Sequence, residues 1–346
     1  MAVLLLFGQI FILLFPLMAI PTNRVTDSDS ESESAEEEDL CFPTSLEEFG
    51  YAFNTDGQLR KLDERTGEIT AEGFEFEVRP GNREYNQKRY VALGEVINQE
   101  IYQLLESKAG LVKTWVGEEN EEYRSFVFAS PDLRTNSDKL LILINGAGAV
   151  RGGQWSRKLI INNGLDEGSM LGYIERAKSA GYAVLVMNTN HNRVGKNSIP
   201  GSETPVTHAR TVWEQFVTGS PSKFIAVVAH SYGGIVAVDL AEKFKLDLME
   251  RVGAFLLTDS VHHKLTDDDS VNEKLQRIGI NYVCSKAPLD TVLPKYIMRS
   301  DYSIPRVSSG SNEHIWTSFY AMESVMRESE KLYMNSTENQ QNDVDL

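Results

Sequence analysis

The stretch Phe224-Ile225-Ala226-Val227-Val228-Ala229-His230-Ser231-Tyr232-Gly233-Gly234-Ile235 constrains this chain more than any other part of it. An unbroken apolar run of this length suits a strand buried on both faces. A serine ends the run, and two glycines open a helical pattern from about Ile235 to Phe244. A serine on so sharp a strand-to-helix turn is held in a strained backbone conformation, and its neighbours must be small. Ala229-His230-Ser231-Tyr232-Gly233 fits the G-x-S-x-G nucleophile elbow, with Ala229 in place of the first glycine. The plainer reading is a glycine-rich turn that happens to carry a serine.

The rest of the chain supplies a setting for such an elbow. A helical pattern over 85–107 places Tyr90, Leu93, Ile97, Ile101 and Leu104 on one face, and Gly110 ends it. Strand patterns follow at 125–129, 139–144, 182–187, 224–229, 252–257, 280–284 and 304–307. Helical patterns fall between them at 171–180, 208–217 and 235–244, and a last one covers about 317–332. Alternating strands and helices are satisfied most economically by an α/β fold. It has a mostly parallel central sheet, right-handed crossovers and helices on both faces. No glycine-rich phosphate loop of the dinucleotide or P-loop type is present, so no nucleotide cofactor is expected.

An elbow implies an oxyanion donor after an earlier strand, then an acid, then a histidine. Asn145-Gly146-Ala147-Gly148 follows the apolar run 139–144, so the backbone N–H of Ala147 pairs naturally with that of Tyr232 as an oxyanion hole. Asp259 and Asp290 each follow a strand. Asp290 is favoured because the loop after the later strand usually approaches the histidine, and Asp259 stands as the alternative. His314, in a polar loop before the last helix, fits the base. His208 and His230 precede Ser231, and His262 and His263 precede Asp290, so they fit the order less well.

Composition narrows the function. The formal net charge is −16, much of it in Asp27 to Asp39, a run without a large apolar residue that reads as a disordered acidic segment. That balance argues against direct nucleic-acid binding. The two cysteines, Cys41 and Cys284, make neither a disulfide framework nor a zinc set. One bond between them is open, and a buried structural thiol is expected for Cys284. Residues 1–19 are almost wholly apolar and read as a secretory signal peptide, or else an uncleaved anchor. The expected layout is therefore a leader (1–19), an acidic segment (20–41), one domain (42–333) and a polar tail (334–346). The ending Asp-Val-Asp-Leu is distantly like a retrieval signal, and Asn335-Ser336-Thr337 is a glycosylation acceptor. Secretion or the endoplasmic reticulum lumen follows from this reading, with no membrane span after cleavage.

Several stretches carry a family resemblance. They are 46–54, Gly57-Gln58-Leu59-Arg60, Asn86-Gln87-Lys88-Arg89-Tyr90, Gly153-Gln154-Trp155, 159–162, 229–234, 258–262, 288–291 and Arg306-Val307-Ser308. Through them the chain resembles the Arb-two-type (Argonaute-binding-protein) domain family, and within it the vertebrate cotranscriptional-regulator-like proteins. The resemblance spans roughly Phe42 to Trp316. It implies an α/β-hydrolase-like fold, a serine nucleophile at Ser231, and association with Argonaute-type or chromatin partners. The chain departs from the pattern at Asn145, where vertebrate relatives have His. It also departs in the short segment 190–204, which lacks their long basic insertion. The nuclear location of those relatives stands as the alternative to secretion. Two functional readings remain. One is a serine hydrolase acting on an ester, thioester or amide substrate without a cofactor or metal; the other is a catalytically silent interaction protein.

Overall fold

Unbroken apolar runs place most of the strands in the centre of one sheet. The computed structural model describes residues 41–262, 265–294 and 304–344. The chain divides into Met1–Cys41 and Phe42–Leu346, and every described element belongs to the second unit. The leader and nearly all of the acidic segment lie outside the described residues.

The main sheet has eight strands. They are β1 (Val112–Val116), β2 (Ser125–Ala129), β3 (Lys139–Ile144), β4 (Tyr182–Val186), β5 (Phe224–His230), β6 (Val252–Thr258), β7 (Gly279–Val283) and β8 (Arg306–Ser308). Their spatial order is β1-β2-β4-β3-β5-β6-β7-β8. Strand β2 pairs antiparallel with both β1 and β4, and every other pairing is parallel. The order reverses around β3, which lies between β4 and β5. A topological switch point of this kind opens a crevice at the carboxyl ends of the strands. This is an α/β-hydrolase-like sheet.

Alternation along each strand divides the interior in two. Leu141 and Leu143 of β3 join Val184, Val186, Ala226 and Val228 on one face. Leu140, Ile142 and Ile144 join Leu185, Val227 and Ala229 on the other. The first face is covered by α1 (Arg83–Ser107), α2 (Leu171–Ser179) and α6 (Met322–Val344), through residues such as Ile97, Ile174 and Val325. The second is covered by α3 (Pro205–Val212), α4 (Gly233–Lys243) and α5 (Asp269–Ile278), through residues such as Val212, Val236 and Leu275. Each fully buried aliphatic side chain contributes about 1.5–3 kcal/mol, so the two faces together supply the main drive to fold.

Several elements differ from the sequence reading. Strand β1 and helix α5 are additional. The last helix begins at Met322 and runs to Val344, so Asn335 lies within a helix rather than in a polar tail. Tyr333 explains the continuation: its ring packs edge-on to Phe224 at 5.3 Å, and its hydroxyl donates to Asp138 at 2.8 Å. Cys41 and Cys284 are each a free thiol. Segment 190–204 folds as a small hairpin, Arg193–Val194 with Asn197–Ser198. Among the described residues no helix is long and apolar enough to cross a membrane.

Candidate active site

Ser231 follows directly on β5 and has φ +54°, a left-handed conformation that a non-glycine residue adopts only under constraint. The constraint is visible on all sides. The Ser231 N–H donates to Thr258 O at 3.0 Å, and Ser231 O accepts from Gly234 N at 3.1 Å and Val261 N at 3.3 Å. A Cβ on Gly233 would meet the carbonyl oxygens of Ile144 and Asn145, each at 2.7 Å. A Cβ on Gly234 would overlap the Ser260 side chain. Gly233 therefore lets α4 start against the end of β3, and Gly234 lets it pass Ser260 after β6, with Ser231 on the turn between β5 and α4.

The loop after β3 lies beside the serine. A Cβ on Gly146 would come within 3.2 Å of Ser231 Cβ. The Gly146 carbonyl accepts from Asn145 Nδ2 at 2.9 Å and from Asn190 Nδ2 at 2.8 Å. In a trans peptide unit C=O and N–H point opposite ways. Fixing Gly146 O with two amides thus fixes the Ala147 N–H on the other side. Ala147 is exposed, and Tyr232 caps the N-terminus of α4, where helix N–H groups have no internal acceptor. Asn145 braces this loop through Nδ2, and its own Oδ1 is buried without a partner.

His314 is joined to an aspartate, and the aspartate is Asp259 rather than Asp290. His314 Nδ1 lies 2.7 Å from Asp259 Oδ2. Asp290 instead accepts from Ser324 Oγ at 2.9 Å and from an Arg327 nitrogen at 2.6 Å, both on α6. The difference between the two aspartates has a physical basis. Asp259 directly follows β6, one strand from the serine; its N–H bonds Tyr282 O at 2.8 Å and its φ is +45°. That backbone turns the carboxylate over the end of β7, toward His314. Asp290 also has positive φ, +67°, but its carboxylate is turned to the Arg327 cation and the Ser324 hydroxyl of α6.

Asp259 has a second partner that sequence order gives no sign of. Cys284 donates its thiol to Asp259 Oδ2 at 2.8 Å and its N–H to Asp259 Oδ1 at 3.1 Å. Burial pushes the Asp259 carboxyl up, but the bonds from His314 and Cys284 outweigh it and hold the carboxyl below the usual range. Asp259 is thus a carboxylate at neutral pH. Burial, together with the adjoining carboxylate, pushes the Cys284 thiol well up, so it remains protonated and donates. Cys284 is half-buried, and its sulfur faces the site rather than the apolar core.

His230 completes the setting. Its ring lies against that of His314, tilted by 33° with centroids 4.7 Å apart. Burial, and after it the neighbouring His314, pull its pKa down to about 3, so it is neutral. His230 Nδ1 lies 2.9 Å from the Thr258 carbonyl, which can only accept, so the proton resides on Nδ1. His314 thus rests on a neutral ring belonging to the residue before Ser231. The Ser231 hydroxyl has no hydrogen-bond partner among the described residues. The other histidines are placed elsewhere. His208 is buried between Asn188 N and Ser202 Oγ, with a pKa lowered to about 3 by burial. His262 bonds Ser260 Oγ at 2.7 Å, and His263 lies outside the described residues.

The Arb2 domain model matches residues 42–197 and 190–289, most of the chain. The chain belongs to the Arb2 domain family. Relatives of this Arb2 protein agree. The Cotranscriptional regulator ARB2A homolog of Xenopus tropicalis is 36% identical, over 84% of this chain and 80% of its own length. Cotranscriptional regulator ARB2A of Homo sapiens is 34% identical, over 84% of this chain and 81% of its own. A FAM172 family protein homolog of Caenorhabditis elegans is 33% identical, over 82% and 85% respectively. Among solved structures, the histone deacetylase Clr3 is similar with a TM-score of 0.49 and 14% identity, over 76% of this chain and 41% of Clr3. A predicted CIB-like hydrolase from Thermoplasma acidophilum follows with a TM-score of 0.39 and 12% identity, over 64% of this chain and 98% of its own.

Proposed function

We propose that this Arb2 protein is a regulator of the cotranscriptional class for which its relatives are named, working in the nucleus through protein partners. The supporting observation is the extent of the likeness: two relatives so named match it at 34–36% identity over 84% of the chain. A net charge of −16 favours a protein partner over direct contact with nucleic acid. This reading replaces secretion or luminal residence, for which the apolar leader was the main argument. Immunostaining and fractionation of the full chain test it. Nuclear retention, with partner association unchanged in Ser231→Ala, is expected; an endoglycosidase-sensitive protein modified at Asn335 would overturn it.

A second reading has its own observation, the 2.7 Å bond between His314 and Asp259 beside a serine on an elbow. It makes the domain a serine hydrolase of an ester, thioester or amide. Ser231 Oγ attacks the acyl carbon as its proton passes to His314 Nε2. Asp259 keeps the other ring proton on Nδ1 and stabilises the imidazolium. The N–H groups of Ala147 and Tyr232 receive the oxyanion. His314 then returns the proton to the leaving group, and water hydrolyses the acyl-serine by the reverse route. Turnover of short nitrophenyl esters that disappears in Ser231→Ala supports it. Equal rates in a folded Ser231→Ala variant would remove it.

A further inference from the structure

The acid of this site is shared. Asp259 Oδ2 receives both the His314 ring nitrogen at 2.7 Å and the Cys284 sulfur at 2.8 Å. One ligand atom from each of the three residues lies within 4.8 Å of the other two. A thiol, an imidazole and one carboxylate converging on a point form a borderline-soft donor set. It suits zinc and cadmium, whereas calcium and magnesium demand several oxygens.

We infer that Asp259, Cys284 and His314 form a zinc-class cation site whose filling switches the serine centre off. Donor atoms around a tetrahedral zinc stand about 3.5 Å apart, so the trio must open by roughly 1 Å. His314 can provide the movement, because it begins a short 3-10 turn and its side chain is 43% exposed. The exposed side leaves the fourth position to water. On binding, the Cys284 proton leaves to solvent and a metal–sulfur bond forms. If His314 binds through Nδ1, the proton there moves to Nε2; if it binds through Nε2, that atom is occupied. In either case Nε2 ceases to be a free base, and Asp259 no longer fixes the ring. The net change is one proton released per metal bound. The effect on catalysis rests on the hydrolase reading above; the site itself does not.

Cadmium titration of the full chain tests the site without any assay of activity. One equivalent is expected to raise a thiolate-to-metal absorption band that survives in Cys41→Ala and Ser231→Ala and disappears in Cys284→Ala. His314→Ala, a change at an exposed position, should weaken it also, and serves where Cys284→Ala unfolds. Absence of the band in the native chain, or a band lost with Cys41 instead, would overturn the site. Zinc should slow fluorophosphonate labelling of Ser231 by at least about 100-fold, the scale of a lost general base, and a chelator should restore it. Undiminished labelling with metal bound overturns the switch. A cadmium band in a chain that never labels upholds the site and removes the hydrolase reading, whereas labelling without a band does the reverse.

Discussion

Two aspartates, both candidates for the acid, differ in what their neighbours make of them. Both follow strands and both have positive φ. Asp259 is 21% exposed and joined to a histidine and a thiol, whereas Asp290 is 42% exposed and joined to Arg327. In the hydrolase reading, Asp259→Asn should reduce ester turnover by about 100- to 10,000-fold, since the amide cannot hold the same His314 tautomer. Asp290→Asn should leave turnover unchanged and cost no more than about 1 kcal/mol, as expected for an exposed ion pair. Steady-state kinetics and urea melts of both variants check this. A large loss from Asp290→Asn with none from Asp259→Asn would reverse the assignment. Chain order favours Asp290, and what turns it away from His314 is a cation on α6, more than thirty residues downstream.

Among the elements, the elbow was the most legible. The apolar run of β5, the serine and the paired glycines specify strand, turn and helix together, and each glycine has its own steric reason. Gly233→Ala should cost about 1–3 kcal/mol, because the new methyl meets two backbone carbonyls that cannot rotate away. A shifted urea midpoint with an unchanged slope is expected, and an unshifted midpoint would contradict the close packing of α4 against β3. Strand β1 escaped notice because Val112-Lys113-Thr114-Trp115-Val116 lies at the sheet edge, where polar residues interrupt the apolar pattern. Helix α5 carried a legible face, Val271, Leu275 and Ile278, and an N-cap at Asp268. The acidic run Asp267 to Asp269 at its start is not the apolar signal from which the other helices are read. The continuation of α6 beyond Leu332 depends on Tyr333 meeting Phe224 and Asp138, contacts far apart in sequence.

For the whole molecule, the buried histidines set an acid limit on stability. His208 and His230 are held neutral by burial, with pKa values lowered to about 3. An unfolded chain binds these protons near pH 6.5, so between about 6.5 and 3 it holds more protons than the folded one. Stability from these two residues is full above pH 6.5 and is lost as pH falls, by about 1.4 kcal/mol per pH unit for each. Urea melts from pH 7.5 to 5 should show the decline; a flat profile would mean that these rings are protonated in the fold. The same sheet ends in Ser231 after β5 and Asp259 after β6, two neighbouring strands, and Asp259 holds His314 from beyond β8. That arrangement is the central claim, and mass-spectrometric mapping of a fluorophosphonate adduct tests it most directly. An adduct on Ser231 of the native chain, lost in Asp259→Asn and retained in Asp290→Asn, is predicted. No adduct on Ser231 of the folded, metal-free chain, under conditions that label a known serine hydrolase, would contradict it.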